Sequence, residues 1–391
     1  MRFGVVLTRY PAPSEPFIGT FLNHFPEHRI YLFARVTNAG HTPANWVIKP
    51  YINQLPGLNY LFNWLLSIVS IPFYWNRLRL LQKKGIRLKQ LIADAPIWTT
   101  PGLDILHFPF ANLAFGREHY AEALGARMSI SFRGSDINVF PVYHSRSYSA
   151  IWPFVDAVHC NSKELAYKLN EHRIPSDIPV SVIPAALRAE LDVPLQRVIN
   201  DEIQGTERNP LIIVTLGRLH WVKDYPFALR VMSRLKESGL KFQYYILGDG
   251  PDKEQLLFLR KELGLEDEVI LAGKVAASEI SQLFRKAHLY LQTSYAEGFS
   301  NACLEAQAFG IPCVVPAISG MDVCVEHQKT GMVVQERDEK MFADSVRFVA
   351  DNPQMFDSQY ISDRVKTDFS LQKQRDAWHT FFSKLVPANR I

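Results

Sequence analysis

From Leu211 to Val334, short runs of apolar residues alternate with longer segments in which apolar positions recur every three or four residues. Short continuous apolar runs suit strands buried on both faces, and the longer periodic ones suit amphipathic helices, so the pattern predicts a parallel α/β layer. The predicted strands are Leu211–Thr215, Tyr244–Leu247, Val269–Leu271, Leu289–Leu291 and Cys313–Val315. Helices are predicted near Pro226–Glu237, Lys253–Leu263, Ser278–Ala287 and Asn301–Phe309, with Asp252 and Gln255 spaced as a capping box. The first half offers strands at Gly4–Thr8, Arg29–Phe33, Ile105–Phe108, Met128–Phe132, Ala157–Cys160 and Val180–Ile183, and helices are harder to place there.

A polar stretch between Leu195 and Pro210 precedes a new apolar strand and reads as a linker. The expected organisation is a first domain over 1–195, a linker over 196–209 and a second domain over 210–370, with 371–391 forming a helix that returns to the first domain. The first apolar run reaches Arg9 too early for a leader peptide and reads as a strand. Leu58–Trp75 approaches the length of a membrane span, but Asn59, Asn63, Ser67 and Ser70 line one side and Pro72 interrupts it, so an amphipathic or buried helix is expected.

With 391 residues, 47% apolar and 21% charged, the chain has material for two cores, and fibrous and disordered classes are excluded. Its 43 basic and 39 acidic residues are too evenly matched to announce a nucleic-acid partner, and none is expected. The balance is uneven along the chain, with 19 basic against 13 acidic residues up to Leu195 and 24 against 26 beyond it. No acidic residue lies between Glu27 and Asp94, where Arg77, Arg79, Lys83, Lys84, Arg87 and Lys89 crowd one stretch. The four cysteines show no C-x-x-C spacing, so neither a disulfide framework nor a zinc site is expected from them.

The segment Ser294–Ala306 follows an apolar strand and places Glu297 in a loop and Glu305 about one turn into a helix. If Ser300 caps that helix, the amides of Asn301 to Cys303 offer partial positive charge to an anion such as a diphosphate. Glu305 could then accept hydrogen bonds from vicinal hydroxyls, leaving Glu297 free to face a sugar. A loop glutamate and a dipole-stabilising glutamate would read the same way. Arg218 and Lys223 follow another strand, where open α/β sheets bind ligands, and could neutralise a diphosphate; two solvated surface cations are the alternative. The turn Gly248-Asp249-Gly250-Pro251 ends a third strand, and because Lys253 stands in place of a third glycine it reads as close backbone approach rather than a dinucleotide fingerprint.

These segments, in this order, resemble the donor domain of glycosyltransferase family 4, whose members are retaining enzymes of the GT-B fold. The resemblance rests on the E-x7-E pair Glu297 and Glu305, on Gly217, Arg218 and Lys223, on Gly248–Pro251 and on the tail Leu304–Val315. It implies two Rossmann-like, doubly wound parallel-sheet domains facing a cleft. By position, Arg218 and Lys223 would hold the donor diphosphate and Glu305 the ribose, while Glu297, Gly298, Phe299, Ser300 and Asn301 would meet the sugar and phosphates. Tyr10–Ile18 is similar to the opening of polysaccharide-building members, which places Gly19 in a loop near the donor and makes Glu15 a sugar or acceptor contact.

Ser131–Ile137 stands where the family has H-G-x-D, with Arg133 in place of the histidine and Asp136 as the acid, so these two become candidate sugar or acceptor contacts. Ala185-Ala186 replaces part of a P-N-G segment, and Val323 stands where a glutamate is common.

The implied activity is sugar transfer with retention from a nucleotide-diphosphate sugar to a glycan or lipid-linked acceptor, in capsule, exopolysaccharide or lipopolysaccharide biosynthesis. Catalysis would rest on Glu297, Arg218 and Lys223. No cofactor or metal is expected, since protein cations and a helix start can stabilise the leaving diphosphate. The Arg77–Lys89 stretch mixes leucines with cations and suits peripheral contact with the inner face of a membrane by a cytoplasmic protein; a solvated helix is the alternative. A nucleotide-sugar epimerase on the same architecture and a catalytically silent nucleotide-sugar binding protein are the competing readings.

Overall fold

The computed structural model describes residues 1–11, 16–36, 43–51, 69, 71–144, 148–188, 191, 205–318 and 320–386. They form two compact units, Met1–Pro184 with Gln374–Ile391, and Ala185–Lys373. Residues 196–204 of the linker expected over 196–209 and most of the apolar segment 58–75 fall outside the described residues, while 205–209 form a turn closed by the Gly205 amide on the Asn209 carbonyl at 2.8 Å. The division by contacts comes earlier than 195, because Leu187 and Leu191 pack in a core of the second unit and the Leu187 amide bonds the Phe369 carbonyl at 2.8 Å.

The first unit is a seven-stranded parallel sheet built from β1 (Arg2–Tyr10), β2 (Arg29–Val36), β3 (Trp46–Lys49), β4 (Ile105–Phe108), β5 (Arg127–Phe132), β6 (Ala157–Cys160) and β7 (Val180–Val182). Their order is β3-β2-β1-β4-β5-β6-β7. Strands β4 and β6 are buried at every position, as a sheet covered on both faces requires. Both carry a histidine into that interior. His107 Nδ1 pairs with Ser129 Oγ at 2.9 Å, while His159 reaches Ser131 Oγ and the Ile183 carbonyl, both at 2.9 Å. Burial, reinforced by the charge of Arg133, drives the His159 imidazole down to about 3, so both of its nitrogens work as neutral hydrogen-bonding groups.

Among the helices of this unit are α1 (Pro16–Asn23), α2 (Trp75–Lys83) and α3 (Gly134–Asn138). One core cluster is closed by residues from far along the chain: Trp378, Phe381, Phe382, Leu385 and Val386 pack with Phe3, Val5, Leu7, Phe21 and Phe25.

The second unit has six parallel strands, β8 (Leu211–Leu216), β9 (Phe242–Leu247), β10 (Val269–Gly273), β11 (Leu289–Leu291), β12 (Cys313–Pro316) and β13 (Gly331–Val334), in the order β10-β9-β8-β11-β12-β13. Its helices include α4 (Tyr225–Glu237), α5 (Lys253–Glu262), α6 (Ala277–Lys286), α7 (Asn301–Ala308), α8 (Glu339–Asp351) and α9 (Ser358–Asp368). Helix α10 (Leu371–Ser383) begins in this unit and from Gln374 belongs to the first. Asp252 occupies the position before α5, but its near-helical backbone (φ −85°, ψ 3°) yields no side-chain cap, so the expected capping box does not form. All four cysteines are buried and unbridged.

Candidate functional site

In the second unit the strand order reverses between β8 and β11, and ligands of open α/β sheets bind beyond the strand ends at such a point. The loop after β8 is fixed first by its neighbour after β9. Gly217 donates its amide to the Leu247 carbonyl at 2.9 Å, Leu219 to that of Asp249 at 3.1 Å, and Asp252 back to that of Leu219 at 3.3 Å. A Cβ at Gly248 would lie 1.9 Å from the Gly217 oxygen, and one at Gly250 2.1 Å from that of Leu219. The turn is glycine-rich because two backbones meet there, and this is the role the structure gives Gly248.

The loop after β11 is tied to the same place. Thr293 Oγ1 donates to the carbonyls of Lys223 (3.1 Å) and Asp224 (3.0 Å), and the Tyr295 amide to that of Val222 (2.8 Å). Asp224 has left-handed backbone angles (φ 45°) and caps α4 by accepting from the Phe227 amide at 3.3 Å. Arg337, beyond β13, closes the arrangement. Its guanidinium binds the Asp224 carboxylate and the carbonyls of Thr293 (2.7 Å) and Ser294 (3.2 Å), and lies 3.9 Å over the Tyr295 ring. No sequence motif singled out Arg337, because its hydrogen-bond partners lie 43 or more residues away in the chain.

Glu297 is held through one of its oxygens. Its Oε1 accepts from Lys223 Nζ, from Gln292 Nε2 at 2.9 Å and from Ser294 Oγ at 2.8 Å. The Gln292 amide oxygen accepts in turn from Ser300 Oγ at 2.7 Å, and that oxygen accepts the Cys303 amide at 3.2 Å. One hydrogen-bonded chain therefore runs from Lys223 through Glu297 and Gln292 to the first turn of α7. Ser300 caps α7 as expected, but the cap takes up the Cys303 amide, so the outward-facing set is smaller than Asn301 to Cys303. Among the described residues, the amides of Asn301 and Ala302 have no partner.

Arg218 is exposed and, among the described residues, has no hydrogen-bond or ion-pair partner. It is the unengaged cation of the site, whereas Lys223 is committed to Glu297. Glu305 lies one turn into α7 and is mostly buried, with its Oε1 3.0 Å from Arg188 Nε. Gly298 is buried, and a Cβ at Gly320 would lie 2.5 Å from its oxygen. Phe299 is a core residue whose ring meets Phe369 at 5.5 Å, so only its backbone is placed to serve a ligand. This corner of the sheet thus brings together Arg218, Lys223, Glu297 and the start of α7. Their combination of cations, a helix N-terminus and a carboxylate can hold an anion beside a hydroxylated group.

The first-unit candidates are placed differently. Glu15 lies outside the described residues. Gly19 stands inside α1 rather than in a loop, because Ile18, Phe21 and Leu22 give this segment a helical buried face. Arg133 lies 4.0 Å over the Phe17 ring, and its Nε donates to the Pro109 carbonyl at 3.1 Å. Asp136 is 1% exposed and accepts from the amides of Arg133 (3.0 Å) and Asn112 (3.3 Å), which makes it the anchor of α3. Its burial pushes the carboxyl up to about 6.

The basic stretch is also divided. Arg77 turns inward to the carbonyls of Trp98 (3.0 Å) and Thr100 (2.9 Å), while Lys83, Arg87 and Lys89 remain exposed, as do Phe73, Trp75 and Leu88. Arg87 and Lys89 border a cavity of about 580 Å³ reaching Leu7 and Thr8 near the end of β1.

Residues 197–363 match the family model described as Glycosyl transferases group 1. A protein of Escherichia coli K12 named "Putative colanic acid biosynthesis glycosyltransferase WcaL" is 25% identical over 371 residues, covering 88% of this chain and 89% of that protein. Among solved structures, HepE of Anabaena with UDP and glucose superposes with a TM-score of 0.71 at 15% identity, over 98% of this chain and all of that one. The lipopolysaccharide outer core galactosyltransferase WaaB gives 0.66 at 18% identity, with 98% and 100% coverage. The fold is GT-B.

Proposed function

Since this GT-B chain carries a group 1 glycosyltransferase domain, we propose that it transfers a sugar, with retention, from a nucleoside-diphosphate sugar to a glycan or lipid-linked acceptor in polysaccharide biosynthesis. The observation that carries the reading is the chain from Lys223 through Glu297 and Gln292 to the capped start of α7, with Arg218 exposed nearby. A donor diphosphate lies against the Asn301 and Ala302 amides and the Arg218 fork, and draws Lys223 from Glu297. Glu297, still held by Gln292 and Ser294, then turns its carboxylate to the sugar hydroxyls.

In the transfer step the bond from the anomeric carbon to the β-phosphate oxygen breaks. The acceptor oxygen bonds to that carbon on the same face, and the acceptor's proton passes to the departing phosphate. Arg218, Lys223 and the helix start stabilise the charge that gathers on the phosphate, the task a metal would otherwise perform. The name of the colanic acid relative supports the polysaccharide assignment, and the UDP and glucose bound to HepE support a nucleotide-sugar donor.

The acceptor is assigned to the first unit, at the cavity bordered by Arg87 and Lys89. The exposed Phe73, Trp75 and Leu88 with these cations favour work at the cytoplasmic face of an anionic membrane. No helix among the described residues is long and apolar enough to cross it.

The test is a thermal-shift panel of UDP-, GDP- and ADP-sugars, in which one nucleotide at 100 times its dissociation constant stabilises the chain by about 2.7 kcal/mol. The Arg218→Ala variant loses that shift. No shift with any nucleotide ends the donor-site assignment, and sugar-nucleotide epimerisation without an acceptor replaces transfer with the competing reaction.

A further inference from the structure

Glu27 and His28 occupy the turn between α1 and β2, and His379 projects from α10, more than 350 residues later. Glu27 Oε1 lies 3.6 Å from His28 Nε2 and 3.5 Å from His379 Nε2, and the three residues offer donor atoms all within 4.8 Å of one another. Around a tetrahedral ion with bonds of about 2.0–2.1 Å to nitrogen and oxygen, neighbouring donors stand about 3.4 Å apart. Two edges of such a tetrahedron are therefore already near their final length.

The surroundings orient the donors. Arg375 Nη2 sits 3.4 Å from Glu27 Oε2, which leaves Oε1 for the imidazoles. The ring of Phe25 packs on both histidines, with centroids 6.1 Å from His28 and 5.0 Å from His379. His28 is buried, His379 half-buried and Glu27 exposed, so the cluster opens to solvent on the carboxylate side. The Met1 ammonium donates to His28 Nδ1 at 3.2 Å, which leaves the ring proton on Nε2, so ligation through Nε2 moves that proton to Nδ1 and gives up this contact. His379 Nε2 donates to the His24 carbonyl at 2.9 Å, so ligation moves that proton to Nδ1 and exchanges this bond for the metal.

We propose that Glu27, His28 and His379 form a binding site for one divalent first-row transition ion, zinc above all, with a fourth position open to water. Two imidazoles and a carboxylate are a zinc donor set, and the harder ions magnesium and calcium require more oxygen. The ion ties the turn before β2 to α10 and thereby secures the late segment that completes the first unit's core. It acts on a different unit from the donor site and stands or falls separately from the proposed transfer.

The test uses the full chain, stripped with a chelator and titrated with zinc chloride, with cobalt chloride as a spectroscopic probe. One equivalent of zinc binds, cobalt gives the intense visible bands of a tetrahedral site, and zinc raises the unfolding temperature. Glu27→Gln, at an exposed position that leaves the core intact, weakens zinc by at least the roughly 10–100-fold that loss of an outer-shell partner costs. His379→Gln does the same, while His119→Gln, at a surface His–Glu pair elsewhere in the unit, leaves binding unchanged. Zinc affinity that is absent in the unaltered chain, that survives Glu27→Gln, or that falls equally in His119→Gln overturns the assignment.

Discussion

Lys223 and Glu297, 74 residues apart in the chain, form an ion pair beside the start of α7. A lysine reserved by a carboxylate is a resting arrangement that an arriving diphosphate can displace. Lys223→Ala should weaken binding of the nucleoside diphosphate about 10–100-fold, the range for a lost hydrogen bond to a charged group. Glu297→Gln, which releases Lys223, should leave that affinity equal or tighter while transfer falls about 100-fold or more. Calorimetry with the nucleotide and initial-rate assays separate the two effects, and equal losses of affinity in both variants contradict this division of roles.

Arg337 holds the buried Asp224 carboxylate and two carbonyls of the β11 loop. Arg337→Ala leaves that carboxylate without its cation, and a cost of about 3–5 kcal/mol is expected in urea unfolding of the second unit. Arg337→Lys should recover only a minor part, because an ammonium lacks the planar fork that reaches several acceptors at once.

Gly248→Ala would place a methyl group against the Gly217 oxygen at 1.9 Å. The loops after β8 and β9 would have to separate, with an expected loss of about 2–3 kcal/mol or more. Nucleotide binding should fall with it, because Arg218 and Lys223 sit on the displaced loop. An unfolding temperature equal to that of the unaltered chain would show that the backbones can part without cost.

His159 is neutral in the fold, its pKa lowered from 6.5 to about 3 by burial and by Arg133. The unfolded chain takes up the proton more readily, so the stability this group contributes is complete above pH 6.5 and is lost as pH falls from 6.5 toward 3. Between pH 7 and pH 5 the unaltered chain should lose about 2 kcal/mol more than His159→Gln. Denaturant titrations at the two values measure it.

Membrane docking should depend on Lys83, Arg87 and Lys89, which are exposed. Changing these three to Ser should abolish flotation with anionic vesicles and leave the unfolding temperature unchanged. Arg77→Ser should do the reverse, since its guanidinium binds the carbonyls of Trp98 and Thr100. Flotation that persists in the triple variant removes the membrane from the proposal.

Strands β8 to β12 were readable within a few residues, because a parallel sheet buried on both faces shows itself as continuous apolar runs. The edge strand β3 has four half-buried residues, WVIK, and β13 opens on Gly331, so neither gave such a run. The candidate site was legible where its chemistry is local: Ser300 caps α7 three residues before the amide it binds. It was illegible where partners are distant. Arg337 reads as a surface cation until the fold brings it to Asp224, 113 residues away in the chain. The anchoring role of Asp136 was hidden as well, since a carboxylate that anchors a helix and one that meets a sugar look alike in sequence.

The aromatic residues of α10 carry a consequence for the order in which the chain matures. The second unit, Ala185–Lys373, is continuous, whereas the first is interrupted by it. At about 5–20 residues per second, the ribosome spends roughly 10–40 s on the intervening segment. Throughout that interval the face of β1 that Trp378 and Phe382 will cover stands unprotected. The unit begun first is therefore completed last, and nascent chains halted before Trp378 should contain a protease-resistant second unit and a first unit that proteases still cut.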